Sequence, residues 1–277
     1  MARQMANIQA RQPRTHLDMI LRSRFTRIAD AHEVDAKTVE RDYVLTHVVT
    51  AIAQHAAEHG LVFKGGTALR LCYLEDYRYS ADLDFSLLAA GDLDMALVCI
   101  EAALSDAARK IGFPYLAIAD DGKRIDYEGP LGRRRDLKLD IATDELVEDT
   151  IVQALLPRYA DQADAQVTVY TLPEIAAEKL RCVIQRLQAR DLFDLNELLV
   201  VNRLQLVDIW PAFERKAQHK QIDPAQFAER FEKRIPQWRS RWDSEMREHL
   251  GGEPDQFDTV ERAVRRTLRT KLTAGAS

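Results

Sequence analysis

The residues best suited to chemistry lie in one short run, Arg78-Tyr-Ser80-Ala-Asp82-Leu-Asp84-Phe. On an extended chain, residues two apart share a face. Asp82 and Asp84 then lie on one side, with Leu83, Phe85 and Leu87 on the other. If the extended path begins earlier, Ser80 and Arg78 join the polar side. Two carboxylates about 6–7 Å apart along a strand can hold one or two Mg²⁺ or Mn²⁺ ions. A pair of such ions would clamp the attacking and leaving oxygens of an in-line displacement.

Just upstream stands Lys64-Gly65-Gly66-Thr67. Two glycines let a backbone approach a ligand closely, and a helix opening at Thr67 would aim free N–H groups at a phosphate. Thr67 adds a hydroxyl. A Gly-Gly pair before a helix also serves as a plain turn, and Asp-x-Asp is common on surfaces. A glycine turn, a helix and a paired-Asp strand in such close succession form a more specific pattern.

Two further runs carry charge at telling positions. Leu137-Lys138-Leu139-Asp140-Ile141 alternates, placing Lys138 and Asp140 on one side of a strand. Asp140 is a candidate third carboxylate, with Asp144 and Glu145 as rivals; a Lys138–Asp140 pair on a solvated face is the plainer reading. In the segment from Pro173 to Leu195, Lys179, Arg186 and Arg190 fall in a narrow sector at about 100° per residue. Leu180, Val183, Ile184 and Leu187 form the adjoining apolar face. Asp194 would lie near the cationic edge. Asp191 would point into the apolar face, so a break is expected near Ala189, with Asp191 as a helix cap. A salt-bridged surface helix gives the same pattern. Arg133-Arg134-Arg135 reads equally as a contact to a nucleic-acid backbone or as a soluble loop tip.

The run Phe63-Lys-Gly-Gly-Thr-Ala-Leu69, followed by Tyr77-Arg-Tyr-Ser-Ala-Asp-Leu-Asp-Phe85, resembles the first motif of the AbiEii-type toxins. These belong to the DNA polymerase β-like nucleotidyltransferase superfamily and include the mycobacterial MenT toxins. Glu40-Arg-Asp-Tyr-Val-Leu-Thr46 also resembles that family. Ala177-Glu178-Lys179-Leu180, with Arg190-Asp191-Leu-Phe-Asp194-Leu, is similar to its second block.

The resemblance implies a toxin of a toxin–antitoxin system. It would move a nucleoside monophosphate from an NTP, CTP or UTP, to the 3′ acceptor end of tRNA, blocking aminoacylation and growth. It implies Asp82, Asp84 and Asp140 as metal ligands, with Asp82, Asp84, Lys179 and Asp194 catalytic. Gly65, Gly66, Thr67, Arg78, Ser80, Lys179 and Arg186 would surround the nucleotide, Asp194 orienting Lys179 or a nearby base. A separate antitoxin is the expected partner, and Ser80, beside the metal pair, is an expected place for a silencing modification. A small-molecule nucleotidyltransferase and an inactive partner-binding module are the competing readings. The Glu178-Lys179 and Arg190-Asp191-x-x-Asp194 pattern weighs against the first, and retention of Asp82, Asp84 and Lys179 against the second.

These residues must be positioned by an α+β fold. A mixed-sheet lobe with N-terminal helices is expected over residues 1–170, then an all-helical lobe over residues 171–277. The Arg-rich start to about residue 33 reads as a helix. Val39, Tyr43, Leu45, Val48, Val49 and Ile52 recur at helical spacing toward Glu58. Strands are expected at Leu61–Phe63, at Asp82–Leu88, around Asp120-Asp-Gly122 and at Leu137–Ile141. Hairpin turns fall at Asp120–Gly122 and Gly129–Gly132. A helix is expected over 92–111. Pro211, Pro224 and Pro236 should punctuate the later helices.

The 277-residue chain carries a net charge of −5, with 46% hydrophobic and 30% charged residues. Those values suit a globular chain with a sizeable core. Both ends are net basic and the middle is net acidic, so metal at the centre and phosphate at the flanks is compatible. No apolar run of membrane-spanning length and no secretory signal is read, so a cytoplasmic protein without a membrane partner is expected. Cys72, Cys99 and Cys182 are scattered in apolar sequence and read as free thiols. Trp210, Trp238 and Trp242 read as core anchors, and the His55/His59 pair as a helix surface.

Overall fold

The computed structural model describes residues 22–55, 59–88 and 91–273. The helix expected before residue 22, and the end of the next one near Glu58, lie outside the described residues.

Helices α1 (Arg22–Ala31) and α2 (Ala36–His55) open the described chain. The apolar positions of α2 wrap around it, and it is buried almost continuously from Val39 to Ala53. A helix that is apolar on most sides belongs inside. Gly60, at φ +73°, turns the chain into β1 (Leu61–Lys64), every residue of which is buried. Helix α3 (Gly65–Ala68) follows at once and continues through a wider turn to Tyr73. It therefore begins two residues before the expected Thr67. The left-handed backbone of Gly65, at φ +78°, makes that abrupt junction possible.

Strand β2 (Asp82–Leu87) pairs antiparallel with β1 and parallel with β5 (Arg134–Ala142). Helix α4 (Leu93–Ala107), capped by the Asp92 side chain, crosses to β3 (Tyr115–Ile118). Strands β3, β4 (Arg124–Glu128) and β5 form a meander whose turns fall where Gly122 and Gly132 were expected to place them. Two strands not expected from sequence, β6 (Thr150–Ala154) and β7 (Gln166–Tyr170), complete a seven-stranded sheet. Its order is β3-β4-β5-β2-β1-β7-β6. The chemistry-bearing strands β5, β2 and β1 are thus central.

Helices α5 (Leu172–Gln185), α6 (Ala189–Leu195), α7 (Leu206–His219), α8 (Phe227–Arg247) and α9 (Phe257–Thr273) follow. The Thr171 hydroxyl accepts from the Glu174 N–H, and Pro173 sits in the first turn of α5, where its missing N–H costs nothing. Pro211 and Pro236 do not end helices as expected; they lie inside α7 and α8. Each removes one backbone bond, and burial of the adjacent Trp210 and Phe213, and of Trp238 and Trp242, outweighs the loss. All three tryptophans are core anchors. Sheet and helices share one buried apolar cluster, which is the mixed-sheet and helix, α+β, architecture.

Candidate active site

Strand β2 has the alternation its sequence calls for: Leu83 and Phe85 are buried, while Asp82 and Asp84 are partly open. In the register, Asp84 lies opposite Asp140 of β5 on one side and Lys64 of β1 on the other. Asp82, Asp84 and Asp140 therefore share one face of adjacent parallel strands. Asp140 is exposed, and its Oδ2 lies 3.4 Å from Lys138 Nζ. The plain pairing and the third-carboxylate position thus coincide in one residue.

The glycines stand against these acids. A Cβ added to Gly65 would fall 2.5 Å from Asp84 Oδ2, and one added to Gly66 would fall 2.6 Å from an Arg78 Nη2 and 3.2 Å from Ser80 Oγ. Both positions thus press backbone against site side chains. Thr67 Oγ1 donates to the main-chain carbonyl of Asp82. Its proton is committed to holding the start of β2, so its task here is to position the strand. The first N–H groups of α3 lack intrahelical acceptors by geometry.

Burial and the neighbouring Asp82 push the Asp84 carboxyl up to about 6, against the pull of Lys64 and Lys179. A site that resists its own negative charge in this way favours a cation. Among the described residues, no three His, Cys, Asp or Glu side chains are gathered closely enough to cage a metal alone. Mg²⁺ is ordinarily held by one or two carboxylates, with water and substrate phosphates completing its shell. Hard oxygen donors at the partly open Asp82 and Asp84 fit that requirement.

The expected cations divide by depth. Arg78 is fully buried, its Nε and Nη2 donating to the two oxygens of Asp194 at 2.7 and 2.8 Å. Lys179 Nζ lies 2.6 Å from Asp194 and 3.0 Å from Asp191. Tyr77 also donates to Asp194. Burial alone would raise the Asp194 carboxyl, but Arg78 and Lys179 hold it far below the usual range. Lys179, Asp194 and Arg78 thus form a closed ionic cluster of buried side chains. Asp191 does not cap α6 as expected. It lies in the first turn, fully buried, where Lys179 and Arg186 compensate its charge.

The break near Ala189 is present, between the end of α5 at Gln185 and the start of α6. Arg186 falls in that break, partly exposed, with Nε 2.8 Å from Asp191. A second cluster ties the two sequence blocks together: Lys64 Nζ lies 2.9 Å from Glu178, which also pairs with Arg181. Burial would raise the Glu178 carboxyl, yet Lys64 and Arg181 bring it down to about 2.

Arg190, read from sequence as part of the cationic sector but not placed among the site residues, touches the site directly. Its Nη2 donates to Asp82 Oδ2 at 2.8 Å, putting a cation in direct contact with the carboxylate pair. The narrow cationic sector of the helix was the signal that pointed to it. The Arg133–Arg135 run is less available than its sequence suggests. Arg135 Nε lies 3.1 Å from the buried Glu40, and Arg134 stacks over Tyr115. A cavity of about 290 Å³ adjoins Arg190, bounded by Gln188, Arg241, Glu245 and His249. A larger one of about 450 Å³ lies behind Tyr77–Tyr79.

Comparison with known proteins bears on this geometry. The chain aligns over 93% of its length with the structure of MenT4, a nucleotidyltransferase toxin from Mycobacterium tuberculosis H37Rv. That alignment covers 90% of MenT4, at a TM-score of 0.59 and 20% identity, which establishes a shared fold. An antigenic nucleotidyltransferase-like protein from Paracoccidioides brasiliensis overlaps at a TM-score of 0.36 and 14% identity, covering 68% of this chain and 92% of that one, too distant to bear on the site. No curated protein matches the sequence. The family described as "Nucleotidyl transferase AbiEii toxin, Type IV TA system" matches residues 47–268, spanning the carboxylate strand and both ionic clusters. The chain belongs to the AbiEii family of nucleotidyltransferase toxins of type IV toxin–antitoxin systems.

Proposed function

We propose that the chain transfers a nucleoside monophosphate from CTP or UTP to the 3′ acceptor end of tRNA, with Mg²⁺ or Mn²⁺ held by Asp82 and Asp84. The observation that carries this reading is the carboxylate face of β2 and β5, with the Gly65 backbone packed directly against Asp84 and the start of α3 behind it. In the reaction, the acceptor hydroxyl oxygen bonds to the α-phosphorus as the bond to the β-phosphate oxygen breaks, and pyrophosphate leaves. Asp140, exposed beside Asp84, takes the hydroxyl proton. The divalent cation, when bound, neutralises charge on the phosphates.

The chain's own residues mainly position and compensate charge. Gly65 and Gly66 admit the triphosphate close to the backbone, and the first N–H groups of α3 face it. Arg186 is exposed enough to reach phosphate. Lys179 and Arg78 act from below through their positive field, fixed by Asp194. Ser80, beside Gly66, is where an added phosphoryl group would block the same space. An antitoxin-dependent gain of mass at Ser80 is the expected sign, and an unchanged mass would remove that element.

The direct test is incubation with each labelled NTP, Mg²⁺ and total RNA. Label is expected in tRNA, from a pyrimidine nucleotide. Asp82→Ala and Asp84→Ala should each abolish label and growth arrest together. Growth arrest that survives Asp82→Ala would refute the mechanism, and label on a small molecule in place of RNA would favour an antibiotic-type transferase.

A further inference from the structure

The carboxylate that is to hold metal already holds a cation. Arg190 Nη2 lies 2.8 Å from Asp82 Oδ2, joining residues 108 apart in sequence. The pair differs from the ionic clusters around it. Arg78, Lys179 and Asp194 have side chains at most 5% exposed, whereas Arg190 and Asp82 are 20% and 22% exposed. Breaking a deeply buried pair strands a charge; breaking a partly solvated one does not. Arg190 is also mounted firmly. Its Nε donates to Gln188 Oε1 at 3.0 Å, and α6 is anchored through Asp191 and Asp194. The cavity of about 290 Å³ beside it gives the guanidinium somewhere to go.

We propose that Arg190 is an exchangeable counter-ion: it occupies Asp82 in the resting enzyme and passes to the triphosphate when metal and nucleotide enter together. The inference rests on the reading of Asp82 and Asp84 as metal ligands. An oxygen engaged by a guanidinium is a poorer metal ligand, and two neighbouring cations repel. A bare divalent ion therefore has to displace Arg190 with nothing in return. A metal–nucleotide complex brings phosphate oxygens, which the planar guanidinium fork grips well. Metal and nucleotide then bind cooperatively, and metal alone binds weakly. The Asp82 carboxylate is compensated at every stage, first by Arg190 and then by metal.

The test is Mn²⁺ binding to the full chain, followed by electron paramagnetic resonance, with and without an NTP analogue bearing a methylene bridge between the α- and β-phosphorus atoms. In the wild type the analogue should tighten Mn²⁺ binding by about tenfold or more, the range of ordinary coupling between sites. Arg190→Gln should bind Mn²⁺ alone about tenfold more tightly and lose most of that coupling. Arg190→Lys, which keeps the charge, should resemble the wild type for Mn²⁺ alone. If Arg190→Gln binds Mn²⁺ alone no better than the wild type, Arg190 merely positions Asp82 and the exchange is overturned. If the wild type binds no Mn²⁺ in either condition, the metal reading itself falls, and the exchange with it. Thermal unfolding of each variant confirms that the fold is retained.

Discussion

Gly65 shows how tightly single residues constrain this site. Its backbone is left-handed, at φ +78°, and an added Cβ would meet Asp84 Oδ2 at 2.5 Å. Gly132 is also left-handed, at φ +68°, but has nothing within 4 Å of its missing Cβ. Alanine at either position should cost about 1–2 kcal/mol in backbone strain, read by urea unfolding. Transfer activity should separate them. Gly65→Ala displaces Asp84, the carboxylate proposed to hold metal, and should lower kcat by about a hundredfold, while Gly132→Ala should leave kcat near the wild-type value. Equal kcat in the two variants would refute a special role for Gly65. At this scale, Asp82 and Asp84 were legible because a strand repeats every two residues. The commitment of Thr67 to the Asp82 carbonyl was not, because a hydroxyl serves a backbone acceptor and a ligand equally well. Arg190 was legible as a charge, but its partner is set by tertiary structure alone.

Among the elements, the joint between α5 and α6 matters most. The sequence showed a cationic helix with acids trailing it, and the apolar address of Asp191 correctly required a break. What it could not show was depth. A continuous helix would spread Lys179, Arg186 and Arg190 along one edge; in the structure Lys179 is buried in α5, Arg186 stands exposed in the break and Arg190 is half-buried on α6. Asp194 is the keystone of the buried part, joined to Arg78 and Lys179. Replacing one member of a buried ionic group leaves its partners uncompensated, at about 3–5 kcal/mol. Asp194→Asn should therefore lower stability by about that amount in urea titration. Lys138→Ala, which breaks an exposed pair with Asp140, should change it by less than about 1 kcal/mol. Comparable losses in the two variants would mean that the Asp194 cluster is not the anchor described. Strand β6 escaped sequence reading because it is five residues long and largely exposed, with no buried alternation to detect; β7 does alternate, Val167 and Val169 being buried, but over only five residues.

For the whole molecule, closure depends on a junction one residue before Ser80. Tyr79 N–H donates to the His249 carbonyl at 2.7 Å, and His249 Nδ1 lies 3.1 Å from the Tyr79 carbonyl. The His32 ring meets the Tyr79 hydroxyl at 2.8 Å. The loop between α8 and α9 is thereby tied to the approach to β2 and to the end of α1. Burial, with Arg78 and Arg190 nearby, lowers the His249 imidazole to about 4; Asp194 and the bond to Tyr79 only partly oppose this. Between its ordinary value near 6.5 and about 4, the unfolded chain takes up a proton that the folded chain refuses. The His249 contribution to stability therefore falls as pH drops through that window, by up to about 3 kcal/mol at 1.4 kcal/mol per pH unit, while Asp84, whose folded value of about 6 lies above its ordinary 3.8, gains stability as pH falls from 6 toward 3.8 and opposes it. Glu178 behaves differently. Its folded value of about 2 lies below its ordinary 4.5, so its contribution is intact above pH 4.5 and is lost only as pH falls from there toward 2. The window from pH 6.5 to 4.5 thus isolates His249 from Glu178. His249→Gln, whose amide can still donate to the Tyr79 carbonyl, keeps Asp84 unchanged, so the urea stability of the wild type relative to this variant should fall between pH 6.5 and 4.5. Parallel pH profiles in the two proteins would show that His249 does not carry the acid sensitivity of this junction.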